Sequence, residues 1–214
     1  MSTETALQKI NEIFQEKNVE IIDFKDSDFS EEELDDSLNR ICGSMIGESA
    51  VGFLDKDDPD LISYLGINKE NKEIIGIFIG FIEDNQLESS YTCSALKGVG
   101  EILRYYALLN THRKKKKIET MFGFAVGGIP AITEEDAKKE TMDKKARLID
   151  YHVKRGAKID KTDPNNIKFE YDVNNIIQKF TKSGGRKRKT RRLKSKKRRR
   201  KGRKTKGRKT RGRR

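Results

Sequence analysis

The sequence is poor in the residues that build disulfide frameworks and metal sites. Its 214 residues include two cysteines, two histidines, three prolines and no tryptophan. Cys42 and Cys93 lack paired spacing, which argues against a disulfide framework and a zinc motif and indicates a reducing compartment. His112 and His152 are isolated as well, so we expect no metal site.

Long apolar segments are also missing. The longest apolar run, Ile74–Ile82, has about half of the roughly 20 residues that a helix needs to cross a bilayer. We therefore expect a buried strand there and no membrane span. The N-terminal segment is polar and mixed in charge, unlike a signal peptide. These absences predict a protein that is intracellular and not secreted.

Acidic residues are missing from one end of the chain. From Arg186 to Arg214, 21 of 29 residues are lysine or arginine and none is acidic, whereas the preceding residues hold 26 basic and 34 acidic ones, a net charge of −8. Leu193 is the one apolar residue of this tail, so burial cannot offset chain entropy and we expect disorder when the tail is alone. The sequence predicts a domain over residues 1–182 and a disordered Lys/Arg-rich tail over residues 183–214.

The tail has the composition of a nucleic-acid-binding segment. It lacks aromatic residues that would stack on bases, so its charge suits phosphate backbones and predicts sequence-independent binding. Other interpretations are a nuclear import signal, a solubilising extension, or contact with acidic lipid. The residues expected to contact phosphates include Arg186, Lys187, Arg188, Lys189, Arg191, Arg192, Lys196, Lys197, Arg198, Arg199, Arg200 and Lys201.

Capping patterns predict two helices near the N-terminus. Thr5 and Gln8 form one capping-box pattern before an amphipathic segment, and Ser30 and Glu33 form a second one. The segment between the two helices, Val19–Phe24, is typical of a strand.

The middle of the chain has the pattern of a three-stranded meander. Leu61–Ile67, Ile74–Ile82 and Leu87–Cys93 are separated by the polar turns NKENKE and EDNQ. The segment before them, Ala50–Leu54, fits either an extra strand or a continuation of the helical region.

A glycine turn marks the change from strands to helix. Gly98 and Gly100 lie at the start of a helical segment that ends in the Lys114–Lys117 run, and these charges suit the helix dipole. Glycines at such a junction let backbone N–H groups point at an anion, so the junction is either a phosphate cradle or a simple tight turn. The sequence has neither the GK[ST] of a Walker loop nor the third glycine of a Rossmann fingerprint.

Two strands and one helix are predicted beyond this junction. Ile118–Val126 is apolar enough for a central strand, and Ile167–Val173 alternates as a last strand. Between them, Thr133 and Asp136 can cap a long helix that ends near Gly156. The expected apolar face of that helix comprises Met142, Ala146, Ile149 and Val153.

This order of elements resembles that of the GNAT (GCN5-related) N-acetyltransferases over Val19–Val173. The segment ALKGVG is similar to the family's phosphate-binding motif, Q/R-x-x-G-x-G/A. Gly98 and Gly100 match its glycines, whereas Ala95 stands where the family has glutamine or arginine. The resemblance implies an α/β fold with a GNAT-like mixed central sheet flanked by helices.

Two further segments carry a resemblance. DYHVKRGA is similar to the family's F-Y-x-x-x-G-F/A signature, with His152 at the usual tyrosine position, Tyr151 beside it, and Gly156 as the glycine. The start of the tail, SGGRKRKTRR, looks like tails on many proteins of large nucleocytoplasmic DNA viruses. The resemblance of the tail to viral proteins implies a location in the nucleus, a viral factory or a virion.

The GNAT resemblance implies acetyl-CoA as cofactor and an amine as acceptor. Acetyl-CoA would lie where the fourth and fifth strands diverge. Its pantetheine arm would pair with the backbone of Tyr91, Thr92 and Cys93. Its pyrophosphate would accept hydrogen bonds from the backbone of Lys97, Gly98, Val99, Gly100 and Glu101.

Direct acetyl transfer to an amine needs a base and an acid. Glu88 on the fourth strand is the candidate base, with a solvated surface carboxylate as the alternative. His152, with a pKa near neutral, is the candidate acid, and the expected helix face favours it over Tyr151. Cys93 is interpreted as a core residue and not as a nucleophile.

Two functions from different classes fit these patterns. One is an acetyl-CoA-dependent N-acetyltransferase tethered to nucleic acid by its tail. The other is a non-catalytic nucleic-acid-binding or packaging protein that keeps a degenerate GNAT-like scaffold. Gly98 and Gly100 favour the enzyme, whereas Ala95 favours the scaffold.

Overall fold

The computed structural model describes residues 2–115, 117–124, 145–163 and 167–181. The predicted basic tail, the predicted helix start at Thr133 and the end of the predicted strand Ile118–Val126 lie outside the described residues. The helices are α1 (Thr3–Glu16), α2 (Glu31–Cys42), α3 (Ser44–Val51), α4 (Val99–Lys114), α5 (helical residues 145–153) and α6 (Val173–Thr181). The strands are β1 (Val19–Asp23), β2 (Leu61–Asn68), β3 (Ile74–Glu83), β4 (Gln86–Ser94), β5 (Thr120–Phe124), β6 (Lys158–Asp160) and β7 (Lys168–Asp172).

The strands form one mixed sheet in the order β1-β2-β3-β4-β5-β7-β6. All neighbours are antiparallel except β4 and β5, which run parallel. Parallel neighbours need a crossover, and α4 provides it. The predicted meander is therefore confirmed as β2, β3 and β4, and the predicted mixed sheet flanked by helices is confirmed with it.

Helices cover both faces of the sheet. On one face, α1, α4 and α6 share an apolar core that includes Leu7, Leu103 and Ile176. On the other face, α2 packs against β3 and β4, and the core there includes Leu34 and Leu38. Because both of its faces are covered, β3 is apolar almost throughout and not alternating.

The two predicted capping boxes have different outcomes. The box at α2 is confirmed, because the Glu33 N–H donates to Ser30 Oγ (3.3 Å) and the Ser30 N–H donates to the Glu33 carboxylate (2.9 Å). The box at Thr5 is wrong. Helix α1 begins at Thr3, and Ser2 is its N-cap, with its Oγ accepting the Thr5 N–H (3.4 Å). Serine is itself a strong N-cap, so the helix begins a few residues earlier.

Cys42 and Cys93 form a disulfide, which corrects the sequence-based expectation. The two residues are 51 positions apart, so no local spacing indicates the pair. Packing of α2 against β4 brings their Cα atoms to 5.3 Å, a normal separation for a disulfide. The bond ties the C-terminal end of α2 to β4.

Some short elements differ from the sequence prediction. Of the two alternatives for Ala50–Leu54, the continuation of the helical region is the correct one, since α3 extends to Val51. The strand β6 and the helix α6 were not predicted, because β6 has three residues and α6 begins at Val173, directly after β7. The three residues of β6 are too few to indicate an element, and Val173, the first residue of α6, was assigned to the strand before it.

Within the described ranges, no helix is long and apolar enough to cross a membrane. Among the same residues, no three or more His, Cys, Asp or Glu side chains form a group that could hold a metal ion.

Candidate functional site

The parallel strands β4 and β5 diverge soon after they meet. They pair at two positions, Leu87 with Met121 and Glu88 with Phe122. By contrast, β4 pairs with β3 at eight positions and β5 with β7 at five. From residue 89 to residue 94, the side of β4 that faces β5 has no strand partner among the described residues; we call it the open edge.

A bulge in β4 begins the open edge. Ile79 pairs with Tyr91 and Gly80 with Ser89, so Ser90 is an extra residue that has no partner on β3. Bulges bend a strand and increase its twist. At this point a Cβ on Gly80 would lie 2.2 Å from the Glu88 carbonyl oxygen, so the close approach of β3 and β4 requires glycine.

The open edge leads directly into the N-terminus of α4. Gly98 is the N-cap with a left-handed φ of +86°, and no side chain caps the helix from that position. The Gly100 N–H donates to Ser94 Oγ (3.0 Å), and the Lys17 ammonium at the end of α1 donates to the Lys97 carbonyl (3.3 Å). A Cβ on Gly98 would have no atom within 4 Å, so space for a ligand exists beside this turn.

Glu101, in the first turn of α4, ties that turn to two other helices. Its carboxylate accepts hydrogen bonds from Arg155 (2.6 Å), Lys179 (2.8 Å) and Tyr105 Oη (3.0 Å). Burial acts to raise the pKa of Glu101, but the hydrogen bonds and charges of Lys179 and Arg155 outweigh it and hold the pKa below its ordinary value. The side chain therefore positions α4 against α6 and the end of α5.

Tyr151 lies beside that ion-pair cluster. The Arg155 guanidinium stacks 3.5 Å from the centre of the Tyr151 ring, and its Nη1 donates to the Tyr151 carbonyl (3.1 Å). Since Arg155 also binds Glu101, it connects Tyr151 to the first turn of α4.

His152 is buried and neutral, which corrects its expected titration near pH 7. The side chain is 1% exposed, its ring stacks 3.7 Å from the Phe169 ring, and its Nδ1 lies 2.9 Å from Tyr171 Oη. Burial, with the positive charges of Arg104 and Arg155, lowers the pKa of His152 to about 3. A histidine with this pKa has no imidazolium proton to donate at neutral pH.

The predicted apolar face of α5 is wrong at Ala146 and Val153, and its first residue, Met142, lies outside the described residues. Val153 is 51% exposed and Ala146 is exposed, whereas Leu148 and Ile149 are half-buried. His152 is the residue of this helix end that faces the core. The prediction relied on Val153, the next residue along the helix. Consecutive residues point about 100° apart on a helix, so an apolar Val153 does not indicate which way His152 points.

Glu88 lies at the last β4–β5 pair, where the strands begin to diverge. Burial raises the pKa of this carboxyl, the nearby Glu83 raises it further, and Lys168 opposes them. A carboxylate with a raised pKa at the end of a paired region is suited to accept a proton.

A cleft of about 520 Å³ lies beyond Glu88 on the sheet. It is lined by Phe124, Asp160, Thr162, Asp163 and Lys168. Lys168 lines this cleft and also acts on Glu88. Its ammonium lies 4.0 Å from the centre of the Phe122 ring, and its positive charge lowers the pKa of Glu88.

The structure brings most of the predicted site residues to one place. Glu88, Tyr91–Cys93 and Lys97–Glu101 follow one another along β4 and into α4, and Tyr151 reaches that turn through Arg155. Sequence reasoning missed Arg155 and Lys179. Lys179 is 78 residues from Glu101, and Arg155 had one local signal, its position just before Gly156 in the DYHVKRGA segment.

Comparisons with known proteins identify the fold. No protein-family model and no curated protein matches the sequence. Among solved structures, a protein assigned to the GNAT acetyltransferase family from Desulfovibrio desulfuricans covers 72% of this chain and 99% of its own, with a TM-score of 0.50 at 9% identity. The PaiA N-acetyltransferase from Thermoplasma acidophilum, in complex with coenzyme A, covers 72% and 98% at 16% identity and a TM-score of 0.45. The sheet order, the diverging parallel strands and the first of these similarities together show that this chain has the GNAT fold.

Proposed function

We propose that the protein is an acetyl-CoA-dependent N-acetyltransferase that acts on an amine acceptor. The observation that carries this proposal is the open edge of β4, which runs into the left-handed Gly98 and the N-terminus of α4. An extended ligand with amide groups can pair with a free strand edge. An anionic group on the same ligand is favoured at a helix N-terminus. Acetyl-CoA has both parts in that order.

The residues around the open edge fit such a ligand. The backbone of Tyr91, Thr92 and Cys93 would pair with the pantetheine arm, and the N–H groups of residues 97–101 would face the pyrophosphate. To bind it, the Gly100 N–H would exchange Ser94 Oγ for a phosphate oxygen, and the Val99 N–H would exchange the Leu96 carbonyl. Lys17 adds a positive charge at the Lys97 carbonyl, 3.3 Å away. The Cys42–Cys93 disulfide engages the side chain of Cys93 and not its backbone.

Acetyl-CoA supplies an activated acetyl group when it is bound. Glu88 takes the proton of the acceptor ammonium, a role that its raised pKa supports. Tyr151 returns a proton to the leaving group, because a phenol carries a proton that it can donate whereas His152 is held neutral. His152 stabilises the position of α5 by stacking on Phe169.

The cleft beyond Glu88 supports an amine as acceptor. Asp160 and Asp163 give it acidic groups that attract an ammonium, and the Phe124 ring gives it an apolar wall. Phe124 is 41% exposed on the strand that leads away from Glu88. An acceptor bound there would present its nitrogen toward the point where the strands diverge.

The basic tail gives the enzyme a nucleic-acid tether. Residues before Arg186 carry a net charge of −8 and would repel phosphates, whereas the 21 basic residues after them attract phosphates without regard to sequence. Deletion of residues 186–214 is therefore expected to abolish binding to duplex DNA in fluorescence anisotropy while CoA binding is kept. Unchanged DNA affinity after deletion would remove the tether.

A non-catalytic scaffold is the second candidate. It is favoured by Ala95 at the leading position of the phosphate motif, and by a buried, neutral His152 where the family has its tyrosine. In that case the fold would hold the basic tail without turning over acetyl-CoA.

Titration calorimetry of the full-length protein with CoA separates the two candidates. The enzyme should bind CoA, and at 100 times the dissociation constant its free energy of unfolding should rise by about 2.7 kcal/mol. Absence of CoA binding to the unmodified protein would leave the scaffold as the function of this fold.

A further inference from the structure

Arg104 is a buried cation of α4 whose donors are incompletely used. Its side chain is 8% exposed, and its Nε and Nη1 have no hydrogen-bond partner among the described residues. None of the ion pairs within the described ranges includes it. Burial of an unpaired charge is strongly unfavourable, so such a group calls for a physical reason.

Arg104 faces the sheet near the start of the open edge. A Cβ on Gly100 would lie 3.1 Å from Ser94 Oγ and 3.4 Å from Thr92 Cγ2, so this side of α4 faces β4. Arg104 follows Gly100 by four residues and lies on the same side, one turn later. Because α4 returns the chain from the end of β4 to the start of the parallel β5, that turn lies toward residue 89.

Phe169 fixes the place of the guanidinium more closely. A Cβ on Gly123 would lie 2.5 Å from Cζ of Phe169 and 2.8 Å from the Ser89 carbonyl oxygen. The Phe169 ring therefore covers the first residue of β5 beyond the last β4–β5 pair. The Arg104 guanidinium lies 5.8 Å from the centre of that ring, so it stands beside the point where the strands diverge.

No described carboxylate neutralises this charge. Glu101, on the same helix, is engaged by Arg155 and Lys179. The neighbours of Arg104 are instead a neutral His152 and the Tyr171 hydroxyl, whose rise in pKa with burial is opposed by the charge of Arg104. The guanidinium therefore has free donors at a place where a negative charge would be stabilised.

We propose that Arg104 binds the sulfur end of acetyl-CoA and stabilises the thiolate that leaves during transfer. This inference rests on the proposed function. In the transfer step the acceptor nitrogen bonds to the acetyl carbon, the carbon–sulfur bond breaks, and its electron pair stays on sulfur. The unpartnered Nε and Nη1 of Arg104 donate to that sulfur. The acceptor ammonium loses two protons as it becomes an amide, of which Glu88 takes the first and water takes the second. Tyr151 protonates the thiolate and regains its own proton from water. Donors placed where charge develops act without reorganisation.

The test compares CoA with desulfo-CoA, which lacks the thiol, by calorimetry on full-length proteins. Arg104→Met should bind CoA about tenfold more weakly above the pKa of the bound thiol and should bind desulfo-CoA as the unmodified protein does. Arg104→Lys keeps the charge and should recover part of the loss. The matched control is Arg113→Met, a cation of the same helix that donates to Asn110 Oδ1 (2.6 Å), and it should leave both affinities unchanged.

Two readouts separate this role from a structural one. The ultraviolet absorbance of bound CoA should show that Arg104→Met raises the pKa of its thiol, and ligand-free Arg104→Met should melt no lower than the unmodified protein. Equal loss of affinity for both ligands, or a lower melting temperature with an unchanged thiol pKa, would overturn the inference and leave the proposed function standing. Failure of the unmodified protein to bind CoA would overturn both.

Discussion

The two edges of β4 show how one strand can serve both stability and binding. Its β3 edge pairs at eight positions and lies between two covered sheet faces, whereas its β5 edge pairs at two. Both edges of the strand carry the same backbone N–H and C=O groups, so the difference in pairing comes from the neighbouring strands. A bulge at Ser90 and the divergence of β5 from β4 after Phe122 leave one row of hydrogen-bonding groups for a ligand.

Gly80→Ala should have the largest effect, because it acts on the paired edge. The new Cβ would lie 2.2 Å from the Glu88 carbonyl, so β3 and β4 would have to separate. We expect the free energy of unfolding, measured with urea, to fall by about 3–4 kcal/mol. Gly66→Ala on β2 is the control, since its nearest contacts are 3.5 Å away, and it should cost less than about 1 kcal/mol. Equal effects would mean that the approach of β3 to β4 is not the constraint.

Cys42→Ser tests the link between β4 and α2. Loss of the disulfide frees a segment of 51 residues in the unfolded chain, and the free energy of unfolding under oxidising conditions should fall by about 3 kcal/mol. Added dithiothreitol should bring the unmodified protein to the level of the variant. CoA affinity should change little, because the bond lies on the α2 side of β4; a matching loss of affinity would show that the two edges are coupled.

Glu88→Gln changes the last residue of β4 that pairs with β5, just before the open edge begins. Removal of the base should lower turnover about 100-fold, once an amine acceptor is found. The folded-state pKa of Glu88 is raised, so its protonated form contributes stability at low pH, and that contribution is lost as the pH rises through the folded pKa. The variant, neutral at every pH, should therefore be at least as stable as the unmodified protein at pH 7.

Glu83→Gln is the control for this prediction. It removes a like charge, so the pKa of Glu88 should fall and the acidic limb of the pH–rate profile should move to lower pH. Full activity of Glu88→Gln would assign the base to another group.

Gly98→Ala should have the smallest effect and should act on the open edge. The positive φ makes alanine unfavourable by about 1 kcal/mol, and the new Cβ would enter the space beside the N-terminus of α4. We expect CoA affinity to fall about tenfold by calorimetry. Gly156→Ala has a matching φ of +88° and open space, so it should cost the same stability without the loss of affinity. Similar affinities for the two variants would argue against a phosphate at Gly98.

Local patterns predicted the elements that carry the site. The capping box at Ser30, the polar turns between the meander strands and the glycine turn before α4 are each determined within a few residues. The same patterns placed Gly98 at the start of α4, where it is the N-cap. They failed at the end of α5. There the apolar Val153 indicated a buried face, but its side chain is 51% exposed and His152 is buried instead.

The sequence by itself determined the order of the elements from α1 to β5 except α3, the turn at Gly98 and the separation of a net −8 region from a basic tail, because propensity, periodicity and charge depend on near neighbours. Only the tertiary structure decided that β4 and β5 diverge after Glu88, that Cys42 bonds to Cys93, that Glu101 binds Arg155 and Lys179, and that His152 is neutral. These features join residues far apart in the chain, and their energies come from burial and distance, which a linear sequence does not contain.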